Sequence, residues 1–152
     1  MKHYFVVGLT LLGLLLAPRM AVACTCVEEA DIQSSFDNAL VVVAATAISA
    51  STQGTTAIPR TRGREVDAQT VEWEVDETWK GQYQPKQHFT TQTIVRCCVC
   101  GLSVRQGVTY ILYLYKGTPV SVSGCSRSSE LTDALRDVPE LYRLSRVSPN
   151  GT

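Results

Sequence analysis

Hydrophobic and polar positions along the chain set out a run of strands followed by one helix. Leu40 to Ile48 is rich in Val and Ala, which predicts a buried strand. Val66 to Trp79 alternates: Val71, Trp73 and Val75 point one way, and Glu72, Glu74 and Asp76 point the other. This is the period of a half-buried strand. Lys80-Gly81 ends it, and Pro85 marks a turn before a further strand over His88 to Ile94. Val108 to Tyr115, rich in Tyr, Leu and Ile, predicts another. Gly117-Thr118-Pro119 then turns the chain into a short strand over Val120 to Ser123. Residues 24–39 read as an irregular arm with one helical turn near Ile32 to Asn38, and the polar stretch Ser51 to Arg64 reads as a flexible loop. Its Arg60, Arg62 and Arg64 read as solvated loop charges.

After the strands the period changes. Leu131, Leu135 and Val138 share one helical face, capped by Ser128 or Ser129, and Leu141 and Leu144 extend it past Pro139, where a restart or kink is expected. The chain carries no internal repeat. Five strands and a terminal helix predict an all-β domain with a C-terminal helix, a five-stranded OB-like closed barrel stapled by disulfides.

The first residues belong to a different pattern. Lys2 and His3 precede an apolar run from Phe5 to Ala17, too short to span a bilayer. Pro18 breaks it, and Ala21-Val22-Ala23 is an A-x-A cleavage site. Residues 1–23 are thus expected to be a signal peptide and 24–152 a single secreted domain, extracellular or periplasmic. Cys24 also stands where a lipoprotein would be acylated, but Ala21 replaces the Leu such signals favour. No second apolar run of spanning length follows, so no transmembrane segment is expected in the mature chain.

The formal charge is +0, and losing Lys2 and Arg19 with the leader moves it to the acidic side, which argues against nucleic acid as a partner. His88 is the sole histidine of the mature part. That leaves no partner set for a serine triad and no His-rich metal centre, so no enzyme is expected and no catalytic residue is assigned. Glu72, Glu74 and Asp76 are explained as the wet face of a strand. Asn150-Gly151-Thr152 matches a glycosylation sequon at the extreme terminus.

All six cysteines, Cys24, Cys26, Cys97, Cys98, Cys100 and Cys125, lie in the exported part, where disulfides are the default. Spacing alone does not select a pairing. Cys97-Cys98-Val99-Cys100 is open to three readings: a soft metal site, a strained vicinal disulfide, or two extra thiols that pair with each other or with another chain. The last is favoured.

The mature start, Cys24-Thr25-Cys26-Val27, resembles the opening of the tissue inhibitors of metalloproteinases, whose N-terminal domain belongs to the netrin-like module family. Phe36-Asp37-Asn38-Ala39-Leu40-Val41-Val42 is similar to that family's entry into its first strand, and Val75 to Gly81, ending Trp79-Lys80-Gly81, to its strand that ends in a Lys-Gly turn. Val99-Cys100-Gly101, Gly107 and Tyr110-Ile111-Leu112 resemble its Val-Cys-Gly, glycine turn and following strand. Cys125 stands where the family closes its barrel. The likeness spans nearly the whole mature chain. Asp37 occupies the site of a family cysteine, so one bridge is missing. Glu28 and Glu29 replace prolines of the animal members, and there is no second domain. The chain looks more like bacterial single-domain members.

The resemblance implies an OB-like barrel with Cys24–Cys100 and Cys26–Cys125 bonds. It also implies inhibition of zinc metalloendopeptidases by the free Cys24 amine and carbonyl. Thr25, Cys26, Val27, Cys98 and Val99 would be the contact residues. The zinc belongs to the target protease; no cofactor of its own is expected, and the protein is expected to be a monomer. The rival implication is a netrin-like module that binds protein or surface polymer without inhibiting.

Overall fold

The computed structural model describes residues 31–55, 66–95, 101–116, 122 and 124–147. Helix α1 (Ile32–Asn38) coincides with the expected helical turn. Asp31 caps it: one carboxylate oxygen accepts the Ser34 N–H at 2.9 Å and the other the Ser34 hydroxyl at 2.8 Å. Those hydrogen bonds from Ser34 hold the Asp31 carboxyl below its usual range. At the other end the Lys80 Nζ donates to the Phe36 and Asp37 carbonyls at 2.8 and 2.9 Å, satisfying carbonyls that the helix leaves open.

Strands β1 (Val41–Thr55), β2 (Val66–Lys80), β3 (His88–Ile94), β4 (Thr109–Leu114) and β5 (Ser129–Glu130) form one antiparallel sheet in the order β3-β2-β1-β4-β5. β1 and β2 are each 15 residues long. Register shifts at Val42/Val43, Ala44/Ala45 and Ala47/Ser49 bend β1 along its length.

The bent sheet buries two clusters. On one face Val43, Ala45, Ala47, Val71, Trp73, Val75, Tyr110, Leu112 and Leu114 pack with Val104 and Val122. On the other, Val42, Ala44, Trp79, Ile111 and Tyr113 meet Phe36 and Ala39, at the α1 end, and Leu141 and Leu144 of helix α2 (Val138–Val147). β1 and β4 are therefore covered on both faces, which is why their sequences read as continuous apolar runs. β2 over Val71 to Asp76 is covered on one face and alternates.

Three expectations need correction, and a fourth lies mostly outside the described residues. The expected closed barrel is not found, because the sheet is open. β5 is only two residues long and pairs with β4 alone. A single described bond reaches the far side of β3 from the region of the expected last strand, Val122 N–H to the Gln92 carbonyl at 3.3 Å. Of the strand expected over Val120 to Ser123, only Val122 is among the described residues. Ser51 to Thr55, expected as loop, continues β1: pairing with Thr70 through Val66 of β2 satisfies a backbone whose side chains carry no strand signal. Finally, Ser128 and Ser129 do not cap the C-terminal helix. Ser129 belongs to β5, the Ser128 hydroxyl accepts the Tyr113 N–H at 2.9 Å, and α2 starts at Val138. Pro139 lies in its first turn, where a missing N–H costs nothing, so of the expected restart or kink the structure shows the restart.

Candidate functional site

Cys24, Thr25, Cys26, Val27, Cys97, Cys98, Val99 and Cys100 all lie outside the described residues, as does the expected cleavage site at Ala21-Val22-Ala23. The Cys24–Cys100 pair therefore lies wholly outside them. Cys125 is described. It sits half-buried in a 3-10 turn, Gly124–Ser126, and is disulfide-bonded. Every other cysteine is outside the described residues, so no disulfide joins two described positions.

The Cys125 turn is fixed from both sides. Ser126 and Ser128, both buried, share a hydroxyl–hydroxyl hydrogen bond of 2.9 Å. Arg127, with φ +64°, turns its guanidinium onto Asp137 just before α2, with Nε and Nη2 3.0 and 2.9 Å from one oxygen. This largely buried pair ties the turn to the start of the terminal helix. Tyr113 lies near by, and burial pushes its phenol up to about 12.

The chain immediately after Cys100 is held in an unusual way. Residues 101–105 run past β3 and β2 as a strap. Thr93 Oγ1 of β3 both accepts the Leu102 N–H and donates to the Leu102 carbonyl, each at 3.0 Å. The Gln69 amide of β2 does the same for Val104: Nε2 donates to its carbonyl and Oε1 accepts its N–H, both at 2.8 Å. Two side chains thus take the place of a backbone ladder. Thr93, Gln69 and Val104 are all buried, so water cannot replace a lost partner.

Sequence reasoning missed this clasp, although a signal for it exists. Gln69 is in phase with the inward-facing Val71, Trp73 and Val75, and a polar residue on an apolar phase needs a partner. Gln69→Leu should expose the cost, since it strands the Val104 N–H and carbonyl. We expect a loss of about 2 kcal/mol in urea unfolding and faster amide exchange at Val104. Unchanged exchange there would contradict the clasp.

The acidic face of β2 is ordinary surface. Glu74 bonds Lys86 at 2.6 Å, which holds the Glu74 carboxyl below and the Lys86 amine above their usual ranges. The His88 nitrogens face two different carboxylates, Glu72 at 3.3 Å and Glu74 at 3.4 Å, and so do not converge on one point. Among the described residues no three His, Cys, Asp or Glu side chains are grouped as metal ligands, and no helix is long and apolar enough to cross a membrane. An open groove of about 760 Å³ is lined by Asp37, Leu40, Lys80, Gly81, Tyr83 and Gln87. Its one amine, on Lys80, is already bonded to the two α1 carbonyls.

No protein-family model matches the chain, and no curated protein matches it.

Proposed function

We propose that the mature chain, starting at Cys24, is a secreted inhibitor of zinc metalloendopeptidases built on an OB-like, partly open barrel. The observation that carries the reading is the strand order β3-β2-β1-β4-β5, with the strap after Cys100 and Val122 both bonded to the β3 side. A partly open five-stranded barrel has room for such an arrangement. Its fixed strap offers a rigid base to which an N-terminal Cys-x-Cys arm can be tied by Cys24–Cys100 and Cys26–Cys125 bonds.

The chemistry follows from the chain end. A target of this class holds its zinc with three protein ligands and leaves one position for water. The α-amino nitrogen and carbonyl oxygen of Cys24 close a five-membered chelate at that position and displace the nucleophile. The amine must be neutral, which costs little at neutral pH for a group with pKa about 7.7–8.0. Thr25 enters the pocket that takes a substrate side chain, and Cys98-Val99 supplies a second contact edge. Tying the arm down in advance removes the ordering cost that weakens a free peptide.

The test is titration of the mature protein, and of a form with one alanine added before Cys24, against a panel of zinc endopeptidases. The mature protein should inhibit at least one. The extended form should keep its melting temperature and lose inhibition, because the amine is displaced from the ~2.0–2.1 Å that a Zn–N bond requires. Equal inhibition by both forms would refute chelation. No inhibition by either, or an acylated Cys24 in the mass of the native protein, would replace the proposal with a non-inhibitory binding module.

A further inference from the structure

The segment that would carry the second contact edge, Cys98-Val99, leaves the described chain at Val95 and rejoins it at Gly101. Both ends are fixed at one place. A Cβ on Gly101 would lie 1.3 Å from the Ile94 carbonyl oxygen, so the two backbones touch there, and the Val95 N–H donates to the Asp67 carbonyl at 2.9 Å. Val99 precedes Leu102 by three positions. At ~3.3–3.6 Å per extended residue it stays within about 11 Å of it. Whatever holds Leu102 therefore holds the base of the edge.

Thr93 Oγ1 accepts the Leu102 N–H and donates to the Leu102 carbonyl, and the Gln69 amide serves Val104 in the same way. Beyond them the Arg105 N–H donates to the Tyr110 hydroxyl at 3.0 Å, and the Arg105 guanidinium meets Glu130 at 2.6 Å. The strap backbone is thus bonded by side chains of β3, β2 and β4. A backbone ladder keeps its faces when it slips by two residues. This clasp has one register. In a slipped strap Val71 would stand in the place of Gln69, and Thr91 in the place of Thr93, with its hydroxyl already accepting the Trp73 Nε1–H. Thr93 is only 2% exposed, so releasing Leu102 leaves buried polar groups unpaired. A satisfied buried network of this kind fixes a single arrangement.

Resting on the inhibitor reading above, we infer that Thr93 is a positioning residue of the inhibitory edge: through Leu102 it sets where Cys98-Val99 and the Cys100 anchor stand relative to the target's zinc. It acts through the strap, not by contact with the target. An edge with a fixed base gives up little freedom on binding. One with a loose base must be ordered each time, and the cost appears as weaker inhibition.

The test compares the mature protein with Thr93→Val, Thr93→Ser and Leu144→Ala, titrated against a panel of zinc endopeptidases, with amide exchange at Leu102 and melting temperatures measured alongside. Thr93→Val keeps the volume and removes both bonds to Leu102. We expect faster exchange at Leu102 and inhibition weakened by about tenfold or more. Thr93→Ser keeps the hydroxyl and should restore both. Leu144→Ala opens a cavity in the other cluster, under α2, and should lower the melting temperature while leaving inhibition within about twofold. Gln69→Leu frees Val104 in the same strap; it should weaken inhibition too, and takes the place of Thr93→Val if that variant does not fold. Full inhibition by Thr93→Val, or unchanged exchange at Leu102, would overturn the positioning role and leave the inhibitor reading standing. Equal weakening by Leu144→Ala would reduce the effect to general stability and overturn the role as well. A wild type that inhibits no member of the panel would remove both readings.

Discussion

Gly101→Ala should destabilise the protein by about 3 kcal/mol or more, the upper end of what overpacking produces. A Cβ at Gly101 would lie 1.3 Å from the Ile94 carbonyl oxygen and 2.4 Å from its carbon. Both atoms are backbone of β3, so no side chain can swing away to make room. Either the strap lifts from β3, breaking the bonds between Thr93 and Leu102, or β3 shifts against β2. Gly107→Ala is the control. Gly107 has φ +78° and open space around its Cβ position, so alanine there meets only conformational strain, about 1–2 kcal/mol. Urea unfolding of both variants separates the two costs. A Gly101→Ala protein as stable as Gly107→Ala would mean that the strap does not lie where it is described.

Trp73→Ala should cost about 3–5 kcal/mol, a large share of the ~5–15 kcal/mol that holds a domain of this size together. The side chain is fully buried at the centre of the inner cluster. Its ring meets Tyr110 edge-on at 5.6 Å and stacks near Phe89 at 6.4 Å, while its Nε1 donates to Thr91 Oγ1 at 2.8 Å. Alanine leaves a cavity and also leaves the buried Thr91 hydroxyl without its donor. Trp73→Phe keeps most of the volume and loses only the hydrogen bond, so it should fall well short of the alanine variant. Circular dichroism against urea gives the comparison; a loss below about 1 kcal/mol for alanine would remove Trp73 from the core.

These effects converge on β2 and β3, where the sequence was easiest to read. Val71, Trp73 and Val75 alternate with charged residues because one face of β2 is wet there, and alternation survives in the sequence as a local signal. β2 and β3 were legible for the same reason: the period of β2 and the turn residues Lys80-Gly81 and Pro85 between them are local signals. β4 was legible to within a residue at each end, and β1 was legible as a buried strand but not in its extent. The side chains of Ser51 and Thr52 carry no preference strong enough to announce a strand, and only pairing with Thr70 and Gln69 makes them one.

The candidate site divides along the same line. The Cys-x-Cys pair, the A-x-A motif expected to be a cleavage site before it and the order of the cysteines are written in the chain itself, since each is a matter of residue identity and spacing. They determined the proposal of a zinc-directed inhibitor. What only the tertiary structure decided is how distant segments meet: Gln69 and Thr93 closing on Val104 and Leu102, Arg127 reaching Asp137, and the last expected cap, Ser128, serving β4 instead of a helix. A side-chain amide or hydroxyl has several possible partners, and its sequence neighbours do not choose among them. That choice falls to the packing of the sheet, which brings one backbone segment within reach and excludes the water that would otherwise compete.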